Sequence, residues 1–202
     1  MAKKTKVAIL ISGRGSNMQA IVRACEHPYF PAEVVLILSN KIDAAGLEFA
    51  KSKKIKTAFV NHRDYVSREE FDKRMNEEIE KSGAEIICLA GFMRLLSPWF
   101  VNRWLDKLIN IHPSLLPEFK GANAVGDAIK AGVKVSGCTV HFVREEMDCG
   151  PVILQSQVEV EPHDTKDTLA TRILKQEHKL YPEALKKVVS GQLGFKLTVK
   201  TT

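Results

Sequence analysis

The sequence predicts an α/β fold: an open, mostly parallel twisted sheet with helices on both faces and an antiparallel addition near its C-terminal part. Three observations predict it. Short runs are continuously apolar, as strands covered on both faces must be: VAILIS at 7–12, EVVLILS at 33–39 and EIICLA at 85–90. Between them stand amphipathic stretches with helical spacing, so strand and helix alternate along the chain. The last two strand-like runs, 135–143 and 152–160, lie closer together in sequence, which favours an antiparallel pair.

Each element has its own local reason. The strand at 7–12 ends at a glycine turn. Residues 17–26 place Met18, Ile21, Val22 and Cys25 on one helical stripe, with Ser16 or Asn17 as the cap. A second buried strand at 33–39, a short helix at 44–53 and a third strand at 57–61 follow. Ser67-Arg68-Glu69-Glu70 has the form of a capping box and opens a helix to about Ser82, with Phe71, Met75 and Ile79 on one face. Residues 85–90 form a fourth strand, and Ser97-Pro98 starts a short helix as N-cap and first helical residue. A fifth strand at 107–111 and a helix near 125–131 come next. In 135–143, alternation puts Cys138, Val140 and Phe142 on one face and Thr139, His141 and Val143 on the other. Asp164-Thr165 opens the last long helix, which Pro182 is expected to kink or divide.

Composition bounds what such a chain does. Its 202 residues, 45% hydrophobic and 27% charged, suit one domain spanning 1–202 with a real core and exclude general disorder. No apolar run approaches the roughly 20 residues of a membrane helix. The basic start is followed by an apolar stretch that Gly13, Arg14 and Gly15 interrupt, which does not fit a secretory signal. Four scattered cysteines without a C-x-x-C pair point to free thiols in a reducing cytoplasm rather than to a disulfide framework or a zinc site. The net charge of +6 is spread along the chain, which suits an anionic small-molecule ligand better than nucleic acid.

In open α/β sheets, ligands bind outside the carboxyl ends of the strands. Three constellations lie there. Ser12-Gly13-Arg14-Gly15-Ser16-Asn17 joins the first strand to the first helix. Its glycines let backbone approach a ligand, and the helix start offers free N–H groups to an anion. A dinucleotide site would want Gly or Ala where Met18 stands and an acid where Ser39-Asn40 stand. A phosphomonoester therefore fits better, although such a loop can also be only a turn. Asn110 and His112 fall on one face of a strand end, where an amide donor beside an imidazole suits oxyanion stabilisation and proton delivery. Taken singly, both are also ordinary loop or core residues. Asp148, in Met147-Asp148-Cys149-Gly150-Pro151, is either turn chemistry or a carboxylate that orients His112.

Other residues have plainer readings. Residues 92–96 follow a buried strand and could line a slot for a flat ring or pack as a loop. His141 reads as a satisfied structural histidine and Cys149 as an inert thiol. The basic tail at 196–200 reads as solvated surface.

The segments ISGRGSNMQAI, LSNK, SREEFD, LAGFMRLLSPWFV, LINIHPSLLP, GCTVHFV, MDCGPVILQ and QEHKLYP, in this order, resemble the folate-dependent phosphoribosylglycinamide formyltransferase family. The resemblance runs from about Val7 to about Gly191. It implies a Rossmann-like formyltransferase domain without a metal, using 10-formyltetrahydrofolate as co-substrate. It implies transfer of a formyl group to the amine of the glycinamide ribonucleotide in purine biosynthesis. It matches Asn110, His112 and Asp148 to the family's catalytic residues, and Gly15, Ser16 and Asn17 to its phosphate loop. Glu177 matches a residue near the glycinamide substrate. Arg68, Met93, Arg94, Leu95 and Leu96, with Arg144, Glu145, Glu146 and Met147, match segments around the folate.

The expected partners are small molecules, with no nucleic acid and no membrane, for a cytoplasmic monomer or homodimer. Related formyl-folate enzymes carry an added nucleic-acid-binding domain or an added regulatory domain, for which this chain is expected to have no counterpart. Residues 122–127 depart from the family, many of whose members carry histidine there, and Cys149 stands where Gly or Ala is common.

Overall fold

The structure, a computed structural model, describes residues 3–193. Strands β1 (Thr5–Ile11), β2 (Ala32–Ser39), β3 (Thr57–Phe59), β4 (Ile86–Leu89), β5 (Leu108–His112), β6 (Val135–Phe142) and β7 (Val152–Glu159) form one sheet. Their order is β3-β2-β1-β4-β5-β6-β7. The first five are parallel; β6 runs antiparallel to β5, and β7 antiparallel to β6. The basic tail at 196–200 lies outside the described residues.

Strand order reverses at β1, which has β2 on one side and β4 on the other. A crevice therefore opens between the carboxyl ends of β1 and β4, where no crossover covers them. The helices are α1 (Ser16–Cys25), α2 (Ala45–Ser52), α3 (Arg68–Ser82), α4 (Pro98–Arg103), α5 (Ala124–Lys130) and α6 (Lys166–Val189).

The strand period of two splits the core into two layers. Val7, Ile9 and Ile11 pack with Met18 and Ile21 of α1 and with Leu169, Tyr181 and Leu185 of α6. Ala8 and Leu10 pack on the other face with Phe71, Met75 and Ile79 of α3 and Phe100 of α4. Burial of both faces explains why these strands read as continuous apolar runs.

Several boundaries differ from expectation. Neither Ser16 nor Asn17 caps α1. The N-cap is Gly15 at φ 69°, and no side chain closes the first turn. Strand β3 stops at Phe59 because the Asn61 side chain accepts from the Arg63 N–H and starts a 3-10 turn at His62–Asp64. Ser67 caps α3 as predicted, but Glu70 reaches the Val66 N–H, one residue beyond the capping-box partner. Pro182 does not divide α6, which runs unbroken from Lys166 to Val189. Leu180, Tyr181, Ala184 and Leu185 are all buried around the proline, and the Tyr181 hydroxyl lies 2.9 and 3.0 Å from the Leu89 and Ile109 carbonyls. Packing on both sides of Pro182 outweighs the one N–H it removes.

Candidate active site

Strand β5 ends in Asn110 and His112 on one side of the sheet, as alternation requires. The antiparallel register sets His141 of β6 opposite Asn110 and Thr139 opposite His112. The β6–β7 turn then carries Asp148 back over this strand end. Asp148 sits at φ 54°, a left-handed conformation that Asp tolerates better than most residues. Gly150 holds that turn against β6: a Cβ there would lie 1.6 Å from the Phe142 carbonyl oxygen.

The Asp148 carboxylate joins three elements. Its Oδ2 accepts from the Gly121 N–H at 2.9 Å and lies 3.5 Å from His112 Nδ1; its Oδ1 lies 3.7 Å from His141 Nε2. His112 is buried, and its Nε2 lies 2.9 Å from the Phe119 carbonyl oxygen. A carbonyl only accepts, so Nε2 bears a proton and Nδ1 faces the carboxylate. Both ring nitrogens face acceptors, which is how an imidazolium is held.

His141 differs. Its Nδ1 lies 2.9 Å from the Phe142 carbonyl oxygen, and its Nε2 lies 3.2 Å from Asn110 Nδ2. Burial pushes its pKa below the usual imidazole range, against the opposing pull of the Phe142 carbonyl and the Asp148 charge. Neutral His141 thus donates from Nδ1 and accepts from the Asn110 amide at Nε2. That contact fixes which way the amide points and leaves its second N–H free. His141 is the buried, hydrogen-bonded histidine that the sequence suggests, and its partner is the Asn110 amide. Antiparallel pairing of β6 with β5 puts His141 beside Asn110.

The second part of the site is the β1–α1 loop. A pocket of about 220 Å³ lies between residues 12–17 and Ala90, Gly91 and Met93, in the crevice at the strand-order reversal. Gly15 suits this position because its φ is left-handed, a conformation that L side chains rarely adopt. With no side-chain cap, the first N–H groups of α1 are left for a ligand. Ser12 Oγ donates to Asn40 Oδ1 at 2.6 Å and accepts from the Met93 N–H at 2.8 Å, tying the two walls together.

Asn17 Nδ2 donates to Glu177 Oε2 at 2.7 Å, while Asn17 Oδ1, also buried, has no hydrogen-bond partner. Burial raises the Glu177 carboxyl above its ordinary range, and the Asn17 bond only partly offsets this. Gly15, Ser16, Asn17 and Glu177 therefore converge, although the last comes from α6.

The remaining candidates form a looser rim. Met93 and Leu95 are 74% and 56% exposed and Met147 is 49% exposed, an unusual concentration of bare apolar side chains on sequence segments flanking the site. Arg94 is exposed and Leu96 half-buried. The charged groups of 144–146 are held by protein partners. Arg144 pairs with Asp106, Glu145 accepts from Asn102 Nδ2 at 2.6 Å, and Glu146 lies 3.7 Å from Lys120. Lys120 also donates to Cys149 Sγ.

Arg68 opens α3 and makes no ion pair with the Asn110–His112–Asp148 group. It does reach Asp72 electrostatically, as Arg94 does; burial raises the Asp72 carboxyl, and the Ser97 hydrogen bonds and both arginines pull it back. Arg68 is thereby linked to the 93–96 segment. Among the described residues, no group of three or more His, Cys, Asp or Glu is arranged to hold a metal ion.

Residues 5–185 match the formyl transferase family. The phosphoribosylglycinamide formyltransferase of Escherichia coli (strain K12) is 42% identical over 187 residues, covering 93% of this chain and 88% of the relative. The human trifunctional purine biosynthetic protein adenosine-3 is 49% identical over 194 residues, which are 95% of this chain and 19% of that protein. The chain thus spans about a fifth of the length of the trifunctional relatives it matches. The crystal structure of glycinamide ribonucleotide transformylase 1 from Symbiobacterium toebii superposes with a TM-score of 0.94 at 40% identity, covering 97% of this chain and 92% of that one.

Proposed function

The chain belongs to the formyl transferase family, and on that premise we propose that it is a phosphoribosylglycinamide formyltransferase, a single formyltransferase domain that acts in purine biosynthesis. The formyl donor of the family is 10-formyltetrahydrofolate, which supplies the one-carbon unit on its ring-linked nitrogen. The exposed apolar side chains of Met93, Leu95 and Met147 fit a flat ring system laid beside the catalytic group. The pocket under the β1–α1 loop fits the phosphate of the acceptor ribonucleotide.

The observation that carries the reading is the convergence of Asn110, His112 and Asp148 at one strand end. The acceptor's primary amine attacks the formyl carbon, and negative charge develops on the formyl oxygen. The free N–H of the Asn110 amide donates to that oxygen, with the amide held in orientation by His141. His112, charged, adds a second donor and delivers the proton that the departing folate nitrogen needs as its bond to the formyl carbon breaks. Asp148 balances the His112 charge and takes up, directly or through water, the proton lost by the attacking amine. The proton count closes: one leaves the amine and one reaches the leaving nitrogen.

Glu177 and Asn17 hold the acceptor between the phosphate loop and this strand end. The free cysteines fit a reducing cytoplasm, and the protein acts there as a monomer or homodimer on small molecules.

The test is formyl transfer from a chromophoric deaza analogue of the folate, followed by absorbance. Release that depends on added glycinamide ribonucleotide supports the reading. Release at the same rate without the ribonucleotide would make the chain a hydrolase, and no release at all would remove the catalytic assignment.

A further inference from the structure

Arg14 is the one side chain of the β1–α1 loop that none of the assignments above uses. It lines the pocket, it is exposed, and among the described residues no carboxylate lies within ion-pair distance of it. It is not alone. Arg23, exposed in the last turn of α1, likewise has no acidic partner among the described residues. His178 of α6 faces both arginines: burial, then Arg23 and Arg14, push its pKa down, and its Nε2 is buried without a hydrogen-bond partner. Arg74, Arg103, Arg144 and Arg172 are by contrast each paired with a nearby acid, and Arg68 and Arg94 act on the buried Asp72 carboxyl. Two unpaired cationic groups on this side give the mouth of the pocket a positive potential that attracts an anion.

We infer that Arg14 reads the charge of the acceptor's phosphate, so that it sets the preference of this chain for a phosphorylated over an unphosphorylated acceptor. This rests on the reading of the pocket as the phosphate site. The backbone N–H groups at the start of α1 bind any oxyanion by geometry. They favour an anion as well, but only with a partial charge of about half an elementary unit that fades within the first turn. A guanidinium carries a full charge, its fork matches two phosphate oxygens and its attraction grows with their charge. Its exposed position means that Arg14 needs no rearrangement of the core to fold over the pocket.

The test compares glycinamide ribonucleotide with its dephosphorylated riboside for the wild type, Arg14→Ala and Arg14→Lys. One charge-assisted bidentate contact predicts a loss of roughly 10- to 100-fold in kcat/KM for the ribonucleotide in Arg14→Ala. The riboside should change by less than about twofold, the KM for the folate should hold, and Arg14→Lys should recover part of the loss. Equal losses on both acceptors, or no loss on either, would overturn the inference. Titration with inorganic phosphate, followed through the His178 ring resonances, decides it independently of turnover. Arg14→Ala must bind phosphate roughly tenfold more weakly than the wild type, and equal affinity overturns the inference. A wild type that binds phosphate in this way but does not formylate the ribonucleotide would instead refute the proposed function.

Discussion

The Asp148 carboxylate lies 3.5 Å from the His112 imidazole although the whole of α5 and β6 separates the two residues in sequence. Three devices bring them together. Strand β5 ends on His112, the Gly150 turn presses against the Phe142 carbonyl, and the Gly121 N–H holds the carboxylate at 2.9 Å. The same carboxylate reaches His141, so one charge faces both rings, and at His141 its pull opposes the effect of burial.

Asn110→Ala removes the amide donor from a half-buried position at the end of β5. Losing one oxyanion donor costs about 2.7–4 kcal/mol of barrier, so turnover should fall roughly a hundredfold or more with the unfolding temperature little changed. Steady-state turnover beside a thermal melt checks this, and wild-type turnover would take Asn110 out of the mechanism.

Asp148→Asn removes the negative charge that pulls the His141 pKa up against burial. The His141 ring should therefore titrate lower in the variant than in the wild type, and activity should be largely lost. NMR titration reads the ring directly. A His141 titration that does not move would show that the carboxylate exerts no field there.

Glu177→Gln tests the buried carboxyl. Its pKa is raised in the folded state, so its contribution to stability is fully present below the unfolded value near 4.5 and is lost as pH rises through the folded value. Glutamine keeps the acceptor for Asn17 without that dependence. The variant should gain in melting temperature relative to wild type at pH 8 and lose this advantage at about pH 4.5. A constant difference across that range would place the Glu177 charge in water.

Gly150→Ala drives a methyl group into the Phe142 carbonyl, which is backbone and cannot swing aside as a side-chain end could. The turn that carries Asp148 must shift. Overpacking of this kind costs about 1–3 kcal/mol, so both melting temperature and turnover should fall. Full activity in this variant would mean that the position of the turn does not matter.

Much of this architecture was legible from local pattern. Continuous apolar runs gave the parallel strands, because burial on both faces leaves no alternation to read. The pairing of Asn110 with His112 followed from strand periodicity alone. Convergence of distant residues was not legible in the same way. Neither the Asn17–Glu177 bond nor the His112–Asp148 contact has any local signal, since each depends on how helices and strands stack across the sheet.

A division of α6 at Pro182 and a side-chain cap on α1 are the two local expectations that are not met. Tertiary packing keeps α6 continuous across the proline, whereas the left-handed Gly15 stands at the α1 N-cap, where local propensity favoured a side-chain cap. That His141 is a satisfied buried histidine was legible, but its partner Asn110 was not, because that contact comes from the neighbouring strand.

The central claim is that His112 and Asp148 act as one unit in formyl transfer. A double-mutant cycle on single-turnover rates, with His112→Ala, Asp148→Asn and the pair, tests it most directly. Residues that work as a unit are strongly non-additive, so the double variant should be about as slow as the slower single variant. Losses that simply multiply would contradict the account.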